Sequence, residues 1–395
     1  MAAVACVRRL RLVDDAFRRS RALVEIFEQL VRAELPDGAE IFDAHTHLGT
    51  DIDGMVGTLD HLLAVQEKAG ISRSFVFCLD EPDRQPAFRA PNDRTLAYAA
   101  QAGGALIPFV RLDLGAGPVE EAARCIDAGA RGIKLHPRAQ KFLLDDIRLA
   151  PIFELAAERK VPILIHGGRG LPPIADELAH LMDRYEPQLI VAHAGIADLA
   201  ALARHFGGRP NVFFDTSVWS ALDLLDLYRL VSPEQVLYAS DYPYGQQPSS
   251  LLIALRTARL AGLDDGQLRA MLGGSAARIA AGEPALELTP PCGGDEHATP
   301  LTFARIHQYL SMATPLLWTR QPDTIGVLGL ALNACDERSN GHREETEQIR
   351  ELLAVARELW RTLPDEDAPE ERTRIARAAF RMLHLANTVA VTTRA

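Results

Sequence analysis

Between residues 40 and about 241, short apolar runs alternate with longer stretches of helical periodicity. The interval is roughly 25 to 30 residues, the size of one strand–helix unit. The runs are "AEIFDAH", "SFVFCL", "ALIPFVRL", "GIKLH", "VPILIH", "LIVAH", "NVFFDTS" and "QVLYASD". They are nearly continuous in Val, Ile, Leu and Phe, which suits parallel strands buried on both faces. Eight such units predict a closed (β/α)8 barrel. An open doubly wound sheet is the alternative, but polar residues recur at the carboxyl ends of the strands throughout the series, not around one switch point. The intervening segments carry helix punctuation: "TLDHLLAVQEKAG" opens at Thr58 and stops at Gly70, and "GPVEEAARCIDAGA" has Pro118 near its start and Gly129 at its end.

The pattern differs outside this region. Residues 1–39 read as an N-terminal helical extension, arginine-rich but interrupted by Asp14, Asp15 and Glu25, which favours a structured helix over a targeting segment. The barrel is expected over 40–282. "EPALELTPPCGGDEHATP", residues 283–300, is rich in Pro and Gly and reads as a linker. Residues 301–395 are expected to form a helical C-terminal domain, with "EETEQIRELLAVARELWRTL" followed, after a Pro-containing turn, by "EERTRIARAAFRMLHLANTV".

The chain has 395 residues, 48% hydrophobic and 24% charged, as in an ordinary soluble protein. A net charge of −11 argues against general nucleic-acid binding, which needs a basic face. No apolar run approaches the length that spans a bilayer, and acidic residues balance basic ones in the C-terminal helices, so no membrane partner is expected. Cys6, Cys78, Cys125, Cys292 and Cys335 are scattered without a CxxC pair, which fits a reducing compartment and a cytoplasmic location. No GxGxxG or GxxxxGK[ST] follows a strand, so no nucleotide cofactor is indicated. "HGGRG" lacks an accompanying GxSxG, and "DIDG" lacks the remaining ligands of a calcium loop.

The polar strand ends carry the chemistry. In a strand, residues i and i+2 point the same way, so His45 and His47 of "IFDAHTHLGT" share a face at the carboxyl end of the first strand. The fifth strand ends in His166, the sixth in His193 and the eighth in Asp241. In a barrel all of these meet at the mouth where active sites lie. Three imidazoles and a carboxylate suit zinc or another divalent ion and leave a position open for water, whose pKa falls from 15.7 to about 7 on such an ion. Asp241 can then accept that water's proton, or both bind the metal and accept the proton. His193 is placed as an acid/base or carbonyl-polarising group.

"FDAHTH", "GIKLHP", "LIH", "VAHAG" and "ASDYP", in this order over roughly residues 40 to 282, resemble the amidohydrolase-related (amidohydrolase-2) metal-dependent hydrolases. The resemblance implies a TIM barrel with the metal on His45, His47, His166 and Asp241, and with His193 acting on substrate or water. It implies hydrolysis of amides or lactones, or non-oxidative decarboxylation or hydration of aromatic or unsaturated acids. The closing segment of the family commonly reads Gly-x-Asn-Ala-x-Arg; here "GGSAARI" has Ser275 at the Asn position, in a segment whose role is packing.

Lys134 and His136 in "GIKLHP" are also i and i+2 on a strand, and lysine is scarce: only Lys68, Lys134, Lys141 and Lys160 occur. Members of the wider superfamily carry a carboxylated lysine in the fourth strand bridging two metals. A buried Lys134 paired with Asp241 or a substrate carboxylate is the preferred expectation, hence one metal, zinc before manganese or iron. Asp43 is expected to orient a ligand or neighbouring backbone. Arg111, with Arg138 and Arg169 in following loops, can clamp a substrate carboxylate, and Trp219, Tyr242 and Tyr244 can wall a pocket for a flat or apolar substrate. The expected function is hydrolysis of a C–N or C–O bond in a small organic substrate, with decarboxylation or hydration on the same site as the alternative. A non-catalytic scaffold acting through the C-terminal helices is a further alternative; those helices are open to covering the mouth, forming a homodimer contact or binding another protein.

Overall fold

The computed structural model describes residues 2–293, 298–318, 324–336, 341–364 and 369–394. Residues 294–297 of the expected linker, most of the expected Pro-containing turn (365–368) and the side chain of Cys6 lie outside the described residues. Two compact units are present. One comprises Leu35–Ala254 and Ala258–Gly294, the other Met1–Glu34, Leu255–Thr257 and Asp295–Ala395.

The first unit is built on nine strands among the described residues: β1 (Ile41–Thr50), β2 (Val56–Gly57), β3 (Ile71–Cys78), β4 (Leu106–Arg111), β5 (Gly132–Leu135), β6 (Ile163–Ile165), β7 (Leu189–Val191), β8 (Val212–Asp215) and β9 (Val236–Leu237). Every neighbouring pair is parallel except β1–β2, a short hairpin that the apolar pattern did not foretell. The sheet curls until its last segment lies beside its first. Ala44 N donates to Tyr238 O at 2.9 Å, Asp241 N to His45 O at 2.9 Å, and His47 N to Tyr242 O at 2.7 Å. The Asp43 carboxylate braces this seam, accepting from Ser240 N at 2.9 Å and from His45 N at 3.2 Å. The architecture is therefore mixed α/β and TIM-barrel-like. Phe42, Phe75, Phe109, Leu164, Ile190, Phe213 and Leu237, one from each of seven parallel strands, form a single buried cluster that closes the interior below the polar strand ends.

Helices separate the strands, and their ends follow from local chemistry. α2 (Leu59–Ala69) starts where the Thr58 side chain accepts His61 N, and it stops at Gly70, whose φ of 72° is left-handed. α3 (Arg89–Gln101) and α4 (Pro118–Asp127) follow, the latter with Pro118 at its first position. α5 (Pro137–Gln140), α6 (Ala150–Arg159), α7 (Ala175–Tyr185), α8 (Leu199–Phe206), α9 (Ala221–Leu230), α10 (Ser249–Ala261), α11 (Asp265–Arg269) and α12 (Ser275–Ala281) complete the series.

The second unit is helical: α1 (Ala2–Glu34), α13 (Leu301–Trp318), α14 (Thr324–Cys335), α15 (Arg343–Arg361) and α16 (Pro369–Thr392). Phe27, Phe303, Ile306, Leu310, Leu352, Leu359, Phe380 and Leu383 are buried in it. Arg19 pairs with Glu358 at 2.7 Å, and Arg374 lies 4.4 Å from the Phe17 ring centre, tying α1 to α15 and α16. No helix among the described residues is long and apolar enough to cross a membrane.

Candidate metal centre

The register of β1 against β3 shifts between Asp43 and Thr46. Such an irregularity re-aims the side chains beyond it. Below the shift Phe42 packs on Phe75, ring centres 4.7 Å apart; above it His45 and His47 converge. Their Nε2 atoms are 3.2 Å apart, and Asp241 Oδ1 lies 3.4 Å from the first and 3.3 Å from the second. Three atoms each about 2.1 Å from one ion at tetrahedral angles would be about 3.4 Å apart, so the trio fits the donor set of a divalent cation.

Hydrogen bonding sets the tautomers. His45 Nδ1 is 2.7 Å from Asp215 Oδ2, and His47 Nδ1 is 3.5 Å from the Cys78 carbonyl oxygen. Both partners only accept, so each ring carries its hydrogen on Nδ1 and turns the Nε2 lone pair inward. Two lone pairs and a carboxylate oxygen facing one point repel unless a cation lies between them. Burial, with Lys134 next, holds both imidazoles well below the usual histidine range, so both are neutral, as ligands must be. Burial also raises Asp241 to about 6, against the pull of His193 and Lys134.

His166 stands beside this trio. Its Nε2 is buried without a hydrogen-bond partner, its ring centre is 4.6 Å from that of His193, and it stacks on His136 at 3.9 Å. Gly168 makes the approach possible: a Cβ there would sit 2.9 Å from atoms of both the His166 and His193 rings. His193 Nδ1 is 2.9 Å from both the Ser217 carbonyl and the Ser217 hydroxyl, and the His193 and His45 ring centres are 5.0 Å apart. His193 and Asp241 both have left-handed backbone, φ 57° and 60°, a conformation that side chains of this kind adopt at a cost.

Lys134 enters the same space. Its Nζ lies 3.3 Å from His45 Nε2 and 4.7 Å from the Phe77 ring centre, and burial lowers its pKa to about 7. His136 caps α5 by accepting Ala139 N at 3.3 Å through Nδ1. Arg111 is buried, with Nη1 3.5 Å from the Cys78 carbonyl. The other aromatic and basic candidates divide. Tyr244 reaches the site, its ring 6.1 Å from that of His47 and its hydroxyl 3.2 Å from Asp53 Oδ2. Tyr242 does not join the group: its hydroxyl is 2.7 Å from His61 Nδ1 and its ring packs with Leu48, Leu62 and Val76 between strand and helix. Trp219 is half-buried after β8; Arg138 is exposed in the short helix α5, not in a loop, and Arg169 is exposed in the loop after β6.

Asp215 is the residue that sequence reasoning missed. Fully buried at the end of β8, it holds His45 with one oxygen; the other accepts His193 N at 2.8 Å, Ser217 N at 3.0 Å and Ser217 Oγ at 2.5 Å. The apolar run of "NVFFDTS" is followed by a carboxylate, Asp215, as that of "VLYASD" is by Asp241, and that strand-end position was the available signal.

A family model described as Amidohydrolase matches residues 42–279. No curated protein matches the chain. Among solved structures, a probable 2-pyrone-4,6-dicarboxylic acid hydrolase from Acinetobacter baumannii, with citric acid bound, shares 12% identity at a TM-score of 0.50, covering 61% of this chain and 99% of its own. A 5-carboxyvanillate decarboxylase from Sphingomonas paucimobilis shares 17% at 0.49, with coverage of 62% and 99%. A dihydroxybenzoic acid decarboxylase from Polaromonas, with bound manganese and the inhibitor 2-nitroresorcinol, shares 15% at 0.49, with coverage of 62% and 97%.

Proposed function

The chain belongs to the amidohydrolase family, and on that premise we propose that it is a metal-dependent hydrolase of an amide or lactone bond in a small organic substrate. The reading takes the curled sheet as a closed (β/α)8 barrel and residues 40–282 as the catalytic domain. One observation carries it: His45 Nε2, His47 Nε2 and Asp241 Oδ1 converge within 3.2 to 3.4 Å of one another. His45, His47 and Asp241 would hold one ion, with the unpartnered Nε2 of His166 as the fourth donor. Zinc suits this nitrogen-rich donor set best, with manganese or iron as the other candidates. The ion supplies Lewis acidity, polarising the scissile carbonyl and acidifying water.

The side chains do the rest. Asp241, placed by its Oδ1 beside His45 and His47, would take the proton of the attacking water. His193 has its Nδ1 hydrogen committed to the Ser217 carbonyl, so its Nε2 carries the lone pair; that atom would first accept the proton released from water and then pass it to the departing nitrogen or oxygen. Asp215 keeps His45 in its tautomer and, by accepting the His193 backbone N–H, holds the turn that carries His193. Phe77 packs against the His45 and His47 rings at 5.0 and 4.4 Å and excludes water from that side.

Elemental analysis of the purified protein, followed by a product screen over lactones, amides and aromatic acids, tests the proposal. It predicts about one divalent ion per chain, lost in His47→Ala, and incorporation of water into the product. Carbon dioxide release without water uptake would identify the decarboxylase instead, and a metal-free protein would remove both readings.

A further inference from the structure

We infer that Arg111 is the anion anchor of this site and that the substrate is a small organic acid whose non-reacting carboxylate it grips through two N–H groups. The inference rests on the metal-dependent reading above and adds the substrate class and the residue that selects it.

Arg111 ends β4, 2% exposed, and its register partner on β5 is Lys134. Register partners in neighbouring parallel strands point to one face of the sheet. Lys134 reaches His45 there, so Arg111 faces the same interior. The Cys78 carbonyl oxygen fixes how near it comes: that single atom is 3.5 Å from Arg111 Nη1 and 3.5 Å from His47 Nδ1. The guanidinium is one carbonyl away from a residue of the metal trio.

Its charge meets one carboxylate at the limit of ion-pair range, without a hydrogen bond. Nε and Nη2 are buried and have no hydrogen-bond acceptor. The carboxylate in ion-pair range, Asp80, is 3.9 Å from Nη2 and sits closer to Arg84, 3.0 Å from its Nε. A buried guanidinium left in this state is unfavourable unless an anion completes it. The two vacant donors are not a random pair. Nε–H and Nη2–H lie along one edge of the guanidinium plane, the edge that meets both oxygens of a carboxylate in two parallel hydrogen bonds.

The surroundings hold that edge in place. Asn92, fully buried, acts on the Arg111 backbone as a strand neighbour would, donating to its carbonyl at 2.9 Å and accepting its N–H at 3.0 Å. The Phe88 ring covers the guanidinium at 4.8 Å. To bring it there the chain passes through two consecutive left-handed residues that are not glycine, Ala87 (φ 61°) and Phe88 (φ 58°). Backbone strain of this kind persists where packing over-determines it, commonly at ligand clamps. The short path from Arg111 to His47 places the held carboxylate near the metal trio.

Calorimetric titration of the metal-loaded protein with two matched pairs, acetate against acetamide and benzoate against benzamide, tests the anchor. At least one acid binds more tightly than its neutral partner, by about tenfold or more. Arg111→Met abolishes that preference with metal content unchanged, and Arg111→Lys, which keeps the charge without the fork, restores only part of it. Equal binding of acid and amide by the wild-type protein, no binding of either acid, or an acid preference surviving in metal-loaded Arg111→Met overturns the inference and leaves the hydrolase reading standing. Arg111-dependent acid binding by a protein that takes up no metal has the opposite consequence: the anchor stands and the hydrolase reading falls. The wild-type comparison serves should Arg111→Met fail to fold.

Discussion

The Asp215 carboxylate divides its oxygens between His45 Nδ1 and the turn that carries His193. Asp215→Asn puts that division to the test. An amide N–H facing His45 Nδ1 must donate to it, which moves the ring hydrogen to Nε2 and blocks the lone pair meant for the ion. Metal affinity should fall about 10- to 100-fold with the fold intact, as for other supporting partners of metal ligands. Chelator competition measures the affinity and circular dichroism the fold; wild-type affinity would show that the carboxylate is dispensable. At this scale the sequence was informative where residue type and strand position coincide, as for His45, His47 and Asp241. It was silent on Asn92 and Phe88, which act through a backbone and a ring face that no motif records. Tyr242 was open to misreading because its neighbour Asp241 points inward while its own ring enters the layer beneath α2.

The strands show what an apolar run does and does not specify. Each of the eight runs became a parallel segment, but the last forms ladder pairs only at Val236 and Leu237; its remainder, through Tyr242, bonds to β1 across the seam. Strand pairing across almost two hundred residues leaves no local trace. Nor does the register shift in β1, which makes simple alternation an incomplete guide to which residues face inward. The closing segment "GGSAARI" does pack as its composition suggested: Ser275 Oγ donates to the Glu234 carbonyl at 2.8 Å, and Gly273 lies against β1. A Cβ on Gly273 would meet the Glu40 carbonyl oxygen at 2.5 Å and Phe42 N at 3.2 Å, both backbone atoms that cannot swing aside. Gly273→Ala should therefore cost about 1–3 kcal/mol. Urea denaturation measures it, and an unchanged midpoint would mean that the helix can shift away from β1.

For the whole molecule, the buried site couples stability to pH. Burial holds His45, His47, His136 and His166 below their ordinary range, so the unfolded chain takes up protons near 6.5 that the folded one refuses. Each contributes stability as pH rises through about 6.5 and withdraws it as pH falls. Asp43 and Asp241, raised by burial to about 7 and about 6, act in the other direction: what they contribute below about 3.8 is lost as pH rises through those values. Four imidazoles outweigh two carboxyls, since each group has the same limiting slope. The metal-free protein should gain stability from about pH 5 to 6.5. Lys134, lowered to about 7, adds a further gain above about 7, until the thiols of Cys78 and Cys335, raised by burial from 9.0 to about 12, begin to offset it above 9.0. Denaturant midpoints measured across this range check it, with the alkaline gain absent in Lys134→Met; a midpoint falling from pH 5 to 6.5 would contradict the four neutral imidazoles.

By itself the sequence determined the alternation of strands and helices and the residue types at the strand ends, because hydrophobic periodicity and strand-end position are local properties. The tertiary structure decided what those residues are to one another. The Asp215–His45 contact, the carbonyl shared by His47 and Arg111, and the vacant edge of a buried guanidinium arise only when segments distant in the chain are brought together, and distance in space is what governs charge, proton position and coordination.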